Sequence, residues 1–156
     1  MQATQAITTM ETCEISSRSE DKPEKGHNGG LQILFTEARM QPNDDTTIYH
    51  GNLRSQREKV GEFVARADWR SRVLFIEELF IEREYRRKGI GKKTLDFLET
   101  KASSLKLREV ALEPFPSDPE ADDVESLRHW YMKQGYVSRR RNIFSPATNL
   151  LAKTLW

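Results

Sequence analysis

The stretch Val73-Leu74-Phe75-Ile76-Glu77-Glu78-Leu79-Phe80-Ile81-Glu82-Arg83-Glu84-Tyr85-Arg86-Arg87-Lys88-Gly89-Ile90-Gly91-Lys92 decides how the chain is read. Its first nine residues are apolar on both faces except for two adjacent carboxylates, the pattern of a strand inside a sheet. Beyond it Leu95, Leu98, Ala102 and Leu105 recur at helical spacing, while Lys92, Lys93, Asp96, Glu99 and Lys101 fill the rest of the wheel, so an amphipathic helix follows. A basic, glycine-containing loop therefore joins a buried strand to a helix N-terminus. Glycine lets backbone approach a ligand closely, and the first N–H groups of a helix have no intrahelical acceptor, so this junction suits an anion.

Two phosphate-binding signatures fail on the loop. A P-loop would need glycine at Arg86 and a hydroxyl at Lys93. A dinucleotide fingerprint would need glycine at Thr94 and repeating strand–helix units on both sides, which the sequence lacks.

Upstream, Leu31 to Phe35 reads as a strand closed by the turn cluster Gln41 to Asp45. Thr46 to Tyr49 is a weaker strand, followed by a polar stretch, and Val60 to Ala65 is rich in branched and aromatic residues that favour extended chain. Asp68 to Ser71 is a hairpin turn. Downstream, Glu109 to Leu112 is a short strand stopped by Pro114 and Pro116. An acidic loop then leads to a helix from about Asp123 to Gln134. Asp122 and Glu125 form its capping-box-like start, Val124, Leu127 and Tyr131 its apolar face, and Gly135 its stop. Tyr136 to Ser138 and Asn149 to Leu155 complete the strands. This order predicts an α/β (α+β) domain with one mixed, mainly antiparallel sheet flanked by helices. Residues 1–29, rich in Thr, Ser, Glu, Lys and Gly without apolar periodicity, are expected to be a disordered polar tail, leaving 30–156 as the domain.

At 156 residues the chain has room for one core, and 25 Lys+Arg against 24 Asp+Glu give a net charge of +1, so no overall field recommends nucleic acid or an anionic membrane. The mean hydropathy is -0.73, and no window approaches the roughly 20 apolar residues of a membrane span. The N-terminus lacks the basic and apolar regions of a secretory signal, so a cytoplasmic or nuclear location is expected. The single cysteine, Cys13, excludes an internal disulfide and a cysteine-clustered metal site, and no metal is expected.

Arg86-Arg87-Lys88-Gly89-Ile90-Gly91 resembles the Gln/Arg-x-x-Gly-x-Gly/Ala signature of the GNAT superfamily of acyl-CoA-dependent N-acyltransferases. The run from Ile76 to Tyr85 resembles that family's central strand, and Trp130 to Tyr136 its second helix and exit. The resemblance covers roughly Val60 to Leu155. It implies acetyl-CoA as co-substrate, with the loop amides of Arg87, Lys88, Gly89, Ile90, Gly91 and Lys92 on the pyrophosphate and Arg86, which opens the loop, also at the cofactor. The main chain of Leu79, Phe80 and Ile81 would pair with the pantetheine amides. It also implies a next strand that splays from the central one, an opening that Pro114 and Pro116 would suit. The helix departs from the family at Val124, where many members carry asparagine, and at Leu127, where a small residue is usual.

A protonated amine with a pKa near 10.4 must lose a proton to attack a thioester, so a base or water chain is required. Glu77 and Glu78 are adjacent strand carboxylates whose opposite facing would let only one reach the cleft. The resemblance implies Glu77 as general base through water; the alternative is a strand-edge carboxylate paired with Arg66 or Arg72. Tyr131 matches the tyrosine that protonates the departing thiolate or holds the thioester sulfur, and would otherwise be a core aromatic. With Cys13 outside the patterned domain, direct amine attack in a ternary complex is expected. Only a short polar stretch separates Phe35 from Ile48, where members usually place two helices, so an open acceptor site follows. It would suit a protein or peptide amine better than a small polyamine-like one, the other acceptor considered, unless the tail or a second copy in a homodimer supplies the wall. Two rivals remain: a catalytically silent coenzyme A-binding module, and nucleic-acid binding through the loop cations with Arg139-Arg140-Arg141.

Overall fold

The computed structural model describes residues 9–15, 30–39, 45–116, 123–139 and 149–156, with the backbone alone in 9–15 and 35–39. In chain order the elements are strands β1 (Thr9–Ile15), β2 (Leu31–Arg39), β3 (Thr46–Ser55), β4 (Glu58–Asp68) and β5 (Val73–Ile81), helix α1 (Ile90–Ser104), β6 (Glu109–Leu112), helix α2 (Val124–Lys133), β7 (Val137–Ser138) and β8 (Leu151–Thr154). Among the described residues the strands form one sheet in the order β1-β2-β3-β4-β5-β6-β8-β7. Neighbours are antiparallel except β5 and β6, which α1 connects in parallel. The mixed, mainly antiparallel α+β architecture read from the sequence is the one observed.

The core lies where α1 covers the sheet. Tyr49, Leu53, Phe63, Ala65, Leu74 and Ile76 alternate with exposed or half-buried neighbours and meet Leu95, Leu98 and Ala102 of the helix. Asp68 accepts from the N–H groups of Arg70 and Ser71, each at 3.0 Å, and closes the predicted β4–β5 hairpin. Those donors hold its carboxyl below its ordinary value.

Several boundaries differ from the sequence reading. Thr9–Ile15, expected to be disordered, is a strand paired along its whole length with β2. Cross-strand hydrogen bonding supplies what its composition lacks, and the rest of 1–29 lies outside the described residues. The polar stretch after Tyr49 is a continuation of β3 and a two-residue turn at Gln56 and Arg57, both with positive φ. The cap of α2 is Asp123 rather than Asp122: its carboxylate accepts from Ser126 N–H at 2.8 Å. That donor lowers the Asp123 pKa, so the capping contribution is present above the unfolded carboxyl's pKa and is lost as pH falls through the depressed folded one. Asp123→Ala is expected to lower the melting temperature by roughly 2–4 °C at pH 7 and to have little effect near pH 2, measurable by circular dichroism.

Candidate active site

The site begins where the sheet opens. The β5–β6 ladder ends at Ile76↔Leu112. On one side of that point β5 carries a bulge, since Val64 pairs with Glu78 and Ala65 with Ile76, leaving Glu77 as the extra residue. On the other side β6 runs into buried Pro114, which has no N–H to donate. A bulge bends its strand, so the two chains separate and, among the described residues, the β6-facing backbone of Leu79–Ile81 has no ladder partner. The splay expected from the two prolines is therefore present.

A cavity of about 300 Å³ fills the opening. Leu79, Phe80 and Ile81 form one wall, Phe115 and Pro116 another, and Ser126, Leu127, Trp130 and Tyr131 of α2 a third. Its end is the junction of Tyr85, Arg86, Arg87, Gly89, Gly91 and Lys92. The Arg86 guanidinium donates to Ile81 O at 2.9 Å and fixes the turn out of β5. Arg87 (φ 60°) and Gly89 (φ 79°) both adopt the left-handed region, and Gly89 is the N-cap of α1. Helical hydrogen bonding begins with Lys93 N–H to Gly89 O at 3.0 Å, so the N–H groups of Ile90, Gly91 and Lys92 lack intrahelical acceptors. They end at the positive pole of a helix beside the cationic Arg86, Arg87 and Lys92, a setting that favours an anion. Gly91 also lets α2 approach, because a Cβ there would lie 3.3 Å from the Trp130 ring.

Tyr131 is 6% exposed and lines the cavity. Its hydroxyl has no hydrogen-bond partner among the described residues, and burial pushes its pKa up to about 12. A buried phenol with an unused donor is costly unless a ligand or water atom meets it. Glu77 behaves otherwise. Its Oε1 receives the Arg66 Nε at 2.6 Å, and that guanidinium lies over the Phe75 ring at 4.7 Å. Glu77 is exposed and not part of the cavity wall. The bulge also corrects the opposite facing expected of the pair. Glu78 stands opposite Val64, and Glu77 reaches Arg66; both partners alternate with core residues of β4, so both carboxylates occupy the face away from α1. Glu78 has no ion-pair partner among the described residues, and His50 lies across Val64 from it. Residues 40–45 alone join β2 to β3, too few for two helices, and His50, Asn52 and Arg54 on this face are exposed.

Of the loop residues singled out from the sequence, Arg86, Arg87, Gly89, Gly91 and Lys92 line the cavity. Lys88 instead lies over the Tyr85 ring at 5.1 Å, and Ile90 packs into the core. Lys92 is paired with Asp96 at 2.9 Å, a hydrogen bond that raises its pKa. Leu127, noted as a departure, is on the wall, whereas Val124 is not. Sequence reasoning missed Tyr85, Phe115, Ser126 and Trp130 as wall residues. Phe115, 81% exposed between two prolines, carries the clearest signal: a large apolar side chain in a segment that cannot join a sheet.

Among the described residues, an eight-stranded α+β sheet opens beside a helix N-terminus with free N–H groups and cationic neighbours. Solved structures share this fold. An acetyltransferase of the GNAT family from Staphylococcus aureus Mu50 is 18% identical with a TM-score of 0.52, over 73% of this chain and 70% of that one. An aminoglycoside 6'-N-acetyltransferase complexed with coenzyme A is 19% identical with a TM-score of 0.52, over 73% and 75%. The PaiA N-acetyltransferase of Thermoplasma acidophilum, in complex with coenzyme A, is 16% identical with a TM-score of 0.52, over 69% and 60%. No curated protein matches the chain at a significant level. The model of the Acetyltransferase (GNAT) family matches residues 13–136, and the chain belongs to that family of acyl-CoA N-acyltransferases. The match begins inside β1, consistent with a strand there. Among the described residues no helix is long and apolar enough to cross a membrane.

Proposed function

We propose that the protein transfers an acetyl group from acetyl-CoA to a primary amine, with a protein or peptide amine as the acceptor best suited to the open sheet face. The observation that carries this reading is the cleft between β5 and Pro116, closed at one end by the unsatisfied N–H groups of α1. The fit to coenzyme A rests on three features: donors and cations for a pyrophosphate, an unpaired strand edge for amide groups, and a buried unpartnered phenol for the sulfur. Acetyl-CoA supplies an activated acyl group that passes to nitrogen as the thiol leaves. The amides from Arg87 to Lys92 bind the pyrophosphate, and Leu79–Ile81 align the arm. Glu77 accepts, through water at Oε2, the proton that the amine loses.

Tyr131 serves the departing sulfur. Burial raises its pKa to about 12, so at neutral pH the phenol keeps its proton and meets the leaving thiolate as a hydrogen-bond donor.

The Arg66–Glu77 pair favours one competing reading, a coenzyme A-binding module without turnover. Thermal shift and thiol release separate the two. Coenzyme A and acetyl-CoA are expected to raise the melting temperature by several degrees at saturating concentration. Gly91→Trp, which fills the approach to Trp130 and the first-turn amides, should abolish the shift while the variant remains folded. Thiol release from acetyl-CoA with polyamines, aminoglycosides and basic peptides then identifies turnover. A shift without release supports the silent module, and the absence of any shift overturns the phosphate site.

A further inference from the structure

We propose that Tyr136 is a positioning residue for Tyr131, its hydroxyl anchored by Glu99, which Lys153 holds in turn, so that the Tyr131 phenol is held at the cofactor's sulfur. This rests on the reading of Tyr131 as the group that meets that sulfur.

Helix α2 ends with Gly135 N–H donating to Met132 O at 3.0 Å and Tyr136 N–H donating to Tyr131 O at 3.3 Å, with Gly135 at φ 94°. That paired closure folds the residue after the glycine back onto the residue five before it. The two tyrosine rings accordingly meet edge to face, with centroids 5.9 Å apart at 72°. Trp130 also meets Tyr131 edge-on, at 4.8 Å and 69°. The Tyr131 hydroxyl makes no hydrogen bond to the described protein, so these neighbouring rings set its position.

Tyr136 is anchored differently. It is 1% exposed, and its hydroxyl donates to Glu99 Oε1 at 3.1 Å. The other oxygen of Glu99 receives Lys153 Nζ at 2.7 Å, and that ammonium lies 5.8 Å from the centre of the Tyr136 ring. Three elements, α1, the α2 exit and β8, thus converge on one phenol. Phenylalanine would fill the same space without burying a hydroxyl, so packing alone does not account for the polar cluster. A satisfied buried network restricts its members to one arrangement, and here the ring so fixed is the one against which Tyr131 rests.

The test compares the affinities of coenzyme A and desulfo-coenzyme A, measured by calorimetry at pH 9, where part of the thiol is ionised. The wild-type protein is expected to prefer coenzyme A roughly tenfold or more, the effect of a hydrogen bond to a charged atom. Tyr131→Phe should bring that ratio close to one. Tyr136→Phe should lower it several-fold while leaving desulfo-coenzyme A affinity unchanged, and should have no effect in the Tyr131→Phe background. Glu99→Ala should reproduce Tyr136→Phe and carries the test if that variant folds poorly, while Glu99→Gln, which keeps an acceptor, should retain the preference. An unchanged ratio in Tyr136→Phe, an equal loss for both ligands, or the same loss without Tyr131 overturns the positioning role. A wild-type protein that binds both ligands equally overturns the Tyr131–sulfur contact, and one that binds neither overturns the cofactor assignment; either result removes the inference by a separate route.

Discussion

Tyr131→Phe is expected to slow acyl transfer by about 10²- to 10³-fold, the loss typical of removing one donor aimed at developing charge, with acetyl-CoA affinity nearly unchanged. The ring stays, so the packing with Trp130 and Tyr136 survives and the cavity keeps its shape. What disappears is the donor that stabilises the thiolate, an interaction strongest when the sulfur carries charge, which places the defect in kcat. Raising the pH adds free amine but restores no donor, so the ratio of variant to wild-type rate should be flat. The comparison must stay below about pH 10, where unfolded phenols begin to ionise. Burial raises the pKa values of Tyr131 and Tyr136, so the folded state holds those protons after the unfolded state releases them. Their contribution to stability is complete below the unfolded value and is lost as pH rises through the folded ones. Tyr131→Phe should therefore also make alkaline unfolding less steep, followed by circular dichroism. A full-rate Tyr131→Phe enzyme would remove the phenol from the mechanism.

The stretch from Val73 to Lys92 was legible because local chemistry and fold agree there: an apolar strand, a loop carrying glycine where φ is positive, and a helix with one apolar stripe. The cleft was partly legible, since Pro114 announces the end of β6. The bulge at Glu77 was not. An extra residue in a strand leaves no compositional mark when both neighbours are carboxylates, and the faces assigned by simple alternation then fail for Glu78. The turn at Gln56 and Arg57 was hidden because neither residue is a usual left-handed turn former, so the sequence reads β3 as ending at Tyr49 instead of Ser55. Strand β1 is stabilised by its pairing with β2 rather than by its own pattern, which a local reading cannot weigh. Tyr136 was read as the start of a strand, and its bond to Glu99 joins positions too distant in sequence for periodicity to connect.

Glu77→Gln is expected to cut turnover at neutral pH by about 10²- to 10⁴-fold, the range for a general base, with little change in acetyl-CoA affinity because Glu77 is not on the cavity wall. Its ion pair leaves this role open: Arg66 occupies Oε1, and a carboxylate has a second oxygen with which to orient a water. Glutamine can keep a hydrogen bond at that position but cannot take a proton. The defect should shrink as pH rises towards the amine's own pKa, near 10.4, because the acceptor then arrives deprotonated. Tyr131→Phe has no such recovery, so the two pH–rate ratios divide the proton from the sulfur. Glu78→Gln is the necessary companion, since Glu78 shares the face and lacks an ion-pair partner among the described residues. If Glu78→Gln alone shows the loss with alkaline recovery, the base is Glu78 and Glu77 serves to hold Arg66 over Phe75. If both retain full turnover, neither carboxylate takes the proton, and the acceptor must reach the cleft already neutral.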